Sequence, residues 1–208
     1  MAKKITKIKK NKNKDNNKNY PVRVIYDNGQ NVLIPDSHQF GSFCTKHGCS
    51  MAASSIALQF LGVKQKDGTA WNPLELYQYA KKHIGGFNGS KLSVFGCKAL
   101  INKISGGTHA RWYPLTGRNN KAAKKRIRRA LRNGKIVLFE QKDPIHTVVL
   151  LGFNEKGDKV RMATYGKVQG TTLATQINKK ALHGVSGVEN QKNWFRGSKY
   201  GAGYLVVG

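Results

Sequence analysis

The sequence predicts an α+β domain in which a helical half is followed by an antiparallel sheet. Apolar residues recur at helical spacing between Cys49 and Gly134. From Lys135 onward the period changes to short runs of valine and leucine separated by turn-forming residues. Helices first and strands afterwards is an order typical of the α+β class, and 208 residues suit one domain with some extra chain.

The first 19 residues are expected to form a disordered basic tail, so the folded domain is predicted over residues 20–208. The stretch "MAKKITKIKKNKNKDNNKNY" is mostly Lys and Asn, and Ile5 and Ile8 are its only bulky apolar residues. So little apolar surface cannot offset the entropy lost on ordering. The segment "YPVRVIYDNGQNVLIP" then alternates around "DNG", which predicts a β-hairpin.

Four helices are predicted next. The first, "GCSMAASSIALQFLG", begins near Cys49 and ends at Gly62. The second, "WNPLELYQYAKKHIGG", has Asn72 as its cap and Pro73 in the first helical position. The other two are "SKLSVFGCKALINKISGG", capped by Ser90, and "NNKAAKKRIRRALRNG", which is basic outside. On the third helix Cys97 is expected to be a small buried hydrophobe.

The predicted sheet consists of four runs. They are "KIVLFEQ", "HTVVLLGFN", "VRMATYG" and "GYLVVG", with "KDPI" and "NEKGDK" as the turns after the first and second runs.

The charge is strongly positive, with 37 Lys and Arg against 10 acidic residues, a formal net charge of +27. This surplus suits a polyanionic partner such as nucleic acid, an anionic membrane or an anionic cell-wall polymer, although a solvated basic surface is the plain alternative. The sequence has no run of about 18 apolar residues, so no membrane span is predicted. The basic start is not followed by the apolar segment that a secretory signal has. A cytoplasmic location is the default, with non-classical export or phage-associated release left open.

Three interpretations are open for the group formed by Cys44, His47 and Cys49: a zinc site, a disulfide and a nucleophile. Cys-x-x-His-x-Cys is not a common structural zinc spacing, and no second Cys or His pair complements it. A Cys44–Cys49 disulfide would require an oxidising compartment, which an odd total of three cysteines does not indicate. The third interpretation is a nucleophile, because unpaired N–H groups at a helix start favour the thiolate of Cys49.

A thiol nucleophile needs a base from elsewhere in the chain, and His146 is the best candidate. It stands at the start of the most apolar run, "IHTVVLLGF", where a lone polar ring is a poor packing choice. The alternative is a structural histidine at a strand start.

Two segments, "HQFGSFCTKHGCSMAASSIALQFLGV" and "IRRALRNGKIVLFEQKDPIHTVVLLGF", carry a resemblance. Together they resemble the papain-like cysteine peptidases of the bacteriocin-leader-processing type, over roughly residues 34–165. The shared features are Gln39, a Gly48-Cys49 pair opening a small-residue helix, "LRNGKIV", and His146 before a valine-rich run. The resemblance implies a papain-like fold and a thiol hydrolase that cuts amide bonds in a peptide or protein, with no cofactor or metal.

The resemblance also implies roles. Cys49 would be the nucleophile and His146 the base, while Gln39 would donate to the oxyanion, with the extra loop around Cys44 folding outward. The family usually places Asp or Asn on the strand after the histidine; here Thr164 falls near that place, followed by Tyr165. A Cys–His dyad, help from Asp158 or Asn154, or a weakened enzyme all stay open.

Two other functions stay open beside the peptidase. One is a cell-wall amidase or endopeptidase of related architecture, which the positive charge would suit. The other is a catalytically degraded fold that binds a polyanion through its basic surface and tail.

Overall fold

The structure, a computed structural model, describes residues 3–11, 19–85, 87, 89, 92–114, 120–141, 146–154, 159–173, 176 and 203–208. The helices are α1 (Ser42–His47), α2 (Cys49–Leu61), α3 (Pro73–His83), α4 (Val94–Ser105) and α5 (Asn120–Arg132). The strands are β1 (Ile5–Lys10), β2 (Val22–Tyr26), β3 (Asn31–Ile34), β4 (Ala110–Pro114), β5 (Ile136–Gln141), β6 (His146–Phe153), β7 (Val160–Thr164), β8 (Lys167–Thr171) and β9 (Gly203–Val207). A short 3-10 helix spans Ser37–Gln39.

The strands form two antiparallel sheets, and the α+β prediction is confirmed. The smaller sheet has the order β1-β2-β3, and the larger has the order β4-β9-β5-β6-β7-β8. The expected hairpin is β2–β3, and the four expected runs are β5, β6, β7 and β9. The turns "KDPI" and "NEKGDK" fall largely outside the described residues.

The two faces of the larger sheet bury two separate apolar clusters. Along β5, Ile136 and Leu138 belong to the cluster shared with α2 and α4, whereas Val137 and Phe139 belong to the cluster shared with α5. This alternation follows from the two-residue period of a strand. The sheet therefore separates α2 from α5, which places Cys49 and the basic helix on opposite sides.

The expected disordered tail is wrong for residues 5–10, which form β1 and pair antiparallel with β2. Ile5 and Ile8 are three residues apart and would face opposite sides of a regular strand. A bulge between Ile5 and Lys7 shifts the register, so that both isoleucines pack on the core. Ile5 lies beside Gly152, since a Cβ built there would be 3.4 Å from Ile5 Cδ1, an ordinary van der Waals contact. Residues 12–18 lie outside the described part.

The sequence predicts the start of α3 correctly and the start of α4 wrongly. Asn72 and Glu75 form a reciprocal capping box at the start of α3, with Pro73 in the first turn, as predicted. The predicted cap of α4 is wrong: that helix begins at Val94, and the Ser93 hydroxyl accepts the N–H of Gly96. Ser90 lies outside the described residues.

Within the part of the chain that the structure describes, none of the helices is both long and apolar enough to cross a membrane.

Candidate functional site

Cys49 is the first residue of α2 and follows a sharp junction between two helices. Gly48 ends α1 and begins α2, and its N–H donates to Cys44 O at 3.2 Å. A Cβ at Gly48 would lie 2.5 Å from the Cys44 backbone, which no real Cβ tolerates. Gly48 is therefore needed for the close approach of Cys44, and this packing fixes the start of α2 at Cys49.

The thiol of Cys49 is surrounded by donors but has a raised pKa. The sulfur accepts the backbone N–H and the hydroxyl of Thr147, and the N–H of Ser50. These bonds lower the pKa, but burial raises it by more, and the neighbouring Glu140 raises it further. The expectation that Cys49 is held as a thiolate is wrong, because burial raises its pKa by more than the neighbouring donors lower it. The resting residue is a neutral thiol.

His146 begins β6 and is held from two sides. Its Nε2 lies 2.5 Å from Thr164 Oγ1, and its ring stacks on Tyr165 with centroids 4.1 Å apart and planes at 17°. Its buried Nδ1 makes no hydrogen bond to any described residue. Burial, with a smaller contribution from His38, lowers the pKa of His146 to about 4, so the ring is neutral at physiological pH.

Tyr165 links two histidines across the mouth of the site. It lies between His146 and His38, whose ring centroid is 4.4 Å away, and Asp36 holds His38 through a 2.9 Å contact to Nδ1. Tyr165 and Gly166 have φ of 39° and 68°, a two-residue β-turn between β7 and β8. Positive φ is unusual for tyrosine and sits here at the candidate site, where strained residues cluster.

Cys49 and His146 line one small cavity although 97 positions separate them (146 − 49). The cavity has a volume of about 10 Å³, and Thr147, Thr164, Tyr165 and Ala53 are also in its wall. In this state no hydrogen bond joins the thiol to the free Nδ1, since that nitrogen has no partner among the described residues. The cavity holds no more than about one water molecule.

Thr164 is the third-position residue that contacts the histidine. The alternative Asn154 accepts the N–H of Lys159 at 3.0 Å through its side chain and lines a different cavity, beside α5. Asp158, the other alternative, lies outside the described residues. A threonine hydroxyl can orient the imidazole but brings no charge to stabilise an imidazolium.

Gln39 and Cys44 lie near Cys49 in different settings. Gln39 is exposed at the end of the 3-10 helix and is not among the residues that line the cavity. Its oxyanion role stays a prediction. Cys44 is fully buried on α1, and burial raises its pKa to about 11. The loop expected to fold outward around Cys44 is thus a helix packed inward, because Cys44 supplies a small apolar contact.

Glu140, beside the site, and Thr147, in its wall, are residues that the sequence analysis did not identify. Glu140 is 2% exposed, it pairs with Thr147 across β5 and β6, and it acts electrostatically on both Cys49 and Cys97. Burial raises its pKa to about 8. The glutamate in the apolar run "IVLFEQ" could have indicated this position from the sequence, since a buried carboxyl group is rare and is often part of an ion pair or a functional site.

The remaining cysteine is a packing residue. Cys97 is fully buried as predicted, and burial raises its pKa to about 12. Its sulfur lies 3.7 Å from Ser50 O. Across the described residues, no three His, Cys, Asp or Glu side chains are grouped as a metal site would require.

No protein-family model matches the chain, and no curated protein matches it. The chemistry of the site is therefore argued from its own residues.

Proposed function

We propose that the chain is a papain-like thiol hydrolase that cleaves amide bonds in a peptide or protein, with Cys49 as nucleophile and His146 as base. One observation carries the proposal. Cys49 and His146 line the same cavity. Thr164 forms a hydrogen bond with Nε2 of His146, which leaves Nδ1 as the nitrogen available to the thiol. A nucleophile, a base and an orienting group for the base are the parts that such catalysis needs.

The resting pair is neutral, so the mechanism is general-base catalysis rather than attack by a preformed thiolate. The raised pKa of Cys49 and the pKa of about 4 for His146 both disfavour an ion pair. The Cys49 proton passes to Nδ1 as the sulfur attacks the carbonyl carbon. The N–H groups of Thr147 and Ser50, which lower the pKa of Cys49, stabilise partial negative charge on the sulfur as its proton leaves, and the main negative charge develops on the carbonyl oxygen.

The remaining steps return the proton. The tetrahedral intermediate collapses, His146 delivers its proton to the leaving amine, and an acyl group stays on the Cys49 sulfur. Water, deprotonated by His146, then releases the acid and restores the thiol. Thr164 keeps the ring oriented through both halves of the cycle. Substrate entry requires the cavity to widen, and Tyr165, 37% exposed, is the wall residue that reaches solvent.

The test combines substrate cleavage with thiol labelling. Purified protein is incubated with a mixed peptide library and, separately, with purified cell-wall material, and new termini are identified by mass spectrometry. Cleavage by the wild type should disappear in Cys49→Ala and His146→Ala, and persist in the control Cys97→Ala. Iodoacetamide should label Cys49 before Cys44 or Cys97, the two that are fully buried.

The labelling rate should also climb steeply above neutral pH, because the reactive form is the thiolate. Equal labelling of Cys49 and Cys97, or cleavage that survives Cys49→Ala, would exclude Cys49 as the nucleophile.

A second candidate is a non-catalytic binding protein built on the same fold. It is favoured by the cavity of about 10 Å³ and by the absence of a thiol–imidazole hydrogen bond among the described residues. This candidate predicts slow alkylation of Cys49 and no cleavage of either substrate, while the chain remains folded.

A further inference from the structure

The outer face of α5 carries positive charge that the described carboxylates leave unpaired. Its sequence, "NKAAKKRIRRALR", has seven cations and no acidic residue. Ala123, Ile127, Ala130 and Leu131 are buried against the sheet, which turns the charged side chains to solvent. Across the described residues, no salt bridge joins any of these seven cations to a carboxylate, and the ion pair recorded is His38 with Asp36.

The charge per unit length of α5 is close to that of one strand of a duplex. Thirteen helical residues extend about 20 Å, so seven cations give roughly one charge per 3 Å. Phosphates along one strand of a duplex follow one another about every 3.4 Å. Arg128, Arg129 and Arg132 are exposed arginines, and a planar guanidinium binds phosphate through two parallel hydrogen bonds. Arg126 instead donates to Tyr204 Oη at 3.0 Å and lies over the Tyr113 ring.

The positive surface continues past the end of α5. A cavity of about 550 Å³ lies there, lined by Lys3, Lys4 and Arg132 together with one carboxylate, Asp27. Lys3 is already engaged, since its Nζ donates to Gln30 Oε1 at 2.8 Å. Lys4, which immediately precedes β1, therefore extends the charged face of α5 beyond Arg132, the last residue of that helix.

The surroundings argue against a membrane as the partner. An interfacial helix needs large apolar side chains beside its cations. The exposed large hydrophobic residues of the described chain are Leu74 and Tyr165, and neither lies on α5. A soluble polyanion fits this surface better than a lipid bilayer.

We propose that the exposed face of α5, extended by Lys4, is a binding surface for duplex nucleic acid. It contacts the phosphate backbone and carries no sequence information, because cations alone read charge and not base edges. The sheet separates this surface from Cys49, so its function is independent of the proposed thiol chemistry.

The experiment measures binding of a labelled 20-base-pair DNA duplex by fluorescence anisotropy between 50 and 300 mM NaCl. The test variant combines Lys125→Gln, Arg128→Gln, Arg129→Gln and Arg132→Gln, four exposed positions of α5. The matched control combines Lys64→Gln, Lys66→Gln, Lys82→Gln and Lys103→Gln, four exposed lysines elsewhere. Both variants lose the same four charges. Gln keeps a helix propensity close to that of Lys and Arg.

We expect the slope of log K against log salt to become shallower by about three to four in the α5 variant, at about 0.9 per lost phosphate contact. Its Kd near 150 mM salt should rise at least about tenfold, while the control changes its slope by less than about one. Alkylation of Cys49 should be unchanged in both.

Three results would overturn the proposal. They are equal weakening by the two variants, no salt-dependent binding of DNA by the wild type, or tighter binding to poly(glycerol phosphate) or phosphatidylglycerol vesicles than to DNA. A second measurement needs no variant. DNA should protect Lys121, Lys124 and Lys125 of the wild type from acetylation and leave Lys64 and Lys66 reactive; the reverse pattern contradicts the proposal.

Discussion

Thr164 Oγ1 lies 2.5 Å from His146 Nε2, and this contact engages one of the two imidazole nitrogens of the candidate base. The hydroxyl can accept a hydrogen bond from Nε2–H, which leaves the lone pair on Nδ1. Nδ1 is the nitrogen that makes no hydrogen bond to a described residue. A neutral hydroxyl can orient the imidazole, but it carries no charge to stabilise an imidazolium as a carboxylate would.

Replacing Thr164 separates orientation from charge. Thr164→Val keeps the side-chain shape but removes the hydroxyl, and we expect amide cleavage to fall about tenfold, the equivalent of one lost hydrogen bond. Thr164→Ser keeps the hydroxyl and should remain within about threefold of the wild type. Thr164→Asp should raise the pKa of His146 by stabilising its charged form. Equal rates for the Val and Ser variants would show that the hydroxyl has no orienting role.

Tyr165 shields the imidazole from water, and its removal should change the titration of that ring. Burial lowers the pKa of His146 to about 4, and Tyr165 stacks directly on it. Tyr165→Ala should therefore move this pKa upward toward 6.5, whereas Tyr165→Phe keeps the stacked ring and should leave it low. The measurement is a proton NMR titration of the His146 Cε1–H. A Phe variant that titrates like the Ala variant would contradict shielding by the ring.

Glu140 and His146 give stability opposite dependences on pH. The pKa of Glu140 is raised from 4.5 to about 8, so between these values the folded chain holds a proton that the unfolded chain has lost. Stability is then lost as the pH rises, at about 1.4 kcal/mol per pH unit. The pKa of His146 is lowered from 6.5 to about 4, so its contribution rises with pH over that range. Between pH 4.5 and 6.5 the contributions of Glu140 and His146 to stability change in opposite directions. Above pH 6.5, of these two, only the contribution of Glu140 still changes with pH.

We therefore expect the wild type to lose roughly 2 kcal/mol of stability between pH 6.5 and 8, and Glu140→Gln to lose much less. Asp67→Asn, at an exposed position, should keep the wild-type dependence. Urea unfolding at a series of pH values measures all three. A Glu140→Gln variant with the same decline as the wild type would show that another group titrates in this window.

The amino-terminal strand should contribute to stability. Ile5 and Ile8 pack on the core from β1, so Ile5→Ala should cost about 1 kcal/mol and a chain starting at Tyr20 should melt several degrees lower. Lys7→Ala changes an exposed residue of the same strand and should have little effect. Thermal unfolding followed by circular dichroism tests this. An unchanged melting temperature without residues 1–19 would mean that β1 adds nothing to the core.

The sequence predicted elements whose apolar period is regular and failed where a local irregularity alters that period. The α3 cap at Asn72, the helix α2 and the strands β5 and β6 follow from spacing alone. Strand β1 was missed because a bulge brings Ile5 and Ile8 to one side. Cys49 and His146, the candidates that the sequence indicated, line one cavity, and their catalytic roles stay predictions. The raised pKa of Cys49 could not be predicted from the sequence, since it depends on burial and on Glu140, which arrives from a distant strand.

The central position of β9 has a consequence for how the chain reaches its native state. This strand lies between β4 and β5, pairing Ala110 with Val207 and Ile136 with Val207 across long intervals of sequence. Until residues 203–207 have been synthesised, β4 and β5 have no neighbour to bridge them, and the apolar edges of both remain open. Such distant pairing makes folding slow and leaves the edges of β4 and β5 exposed to aggregation, because residues 203–207 must emerge before the larger sheet can close.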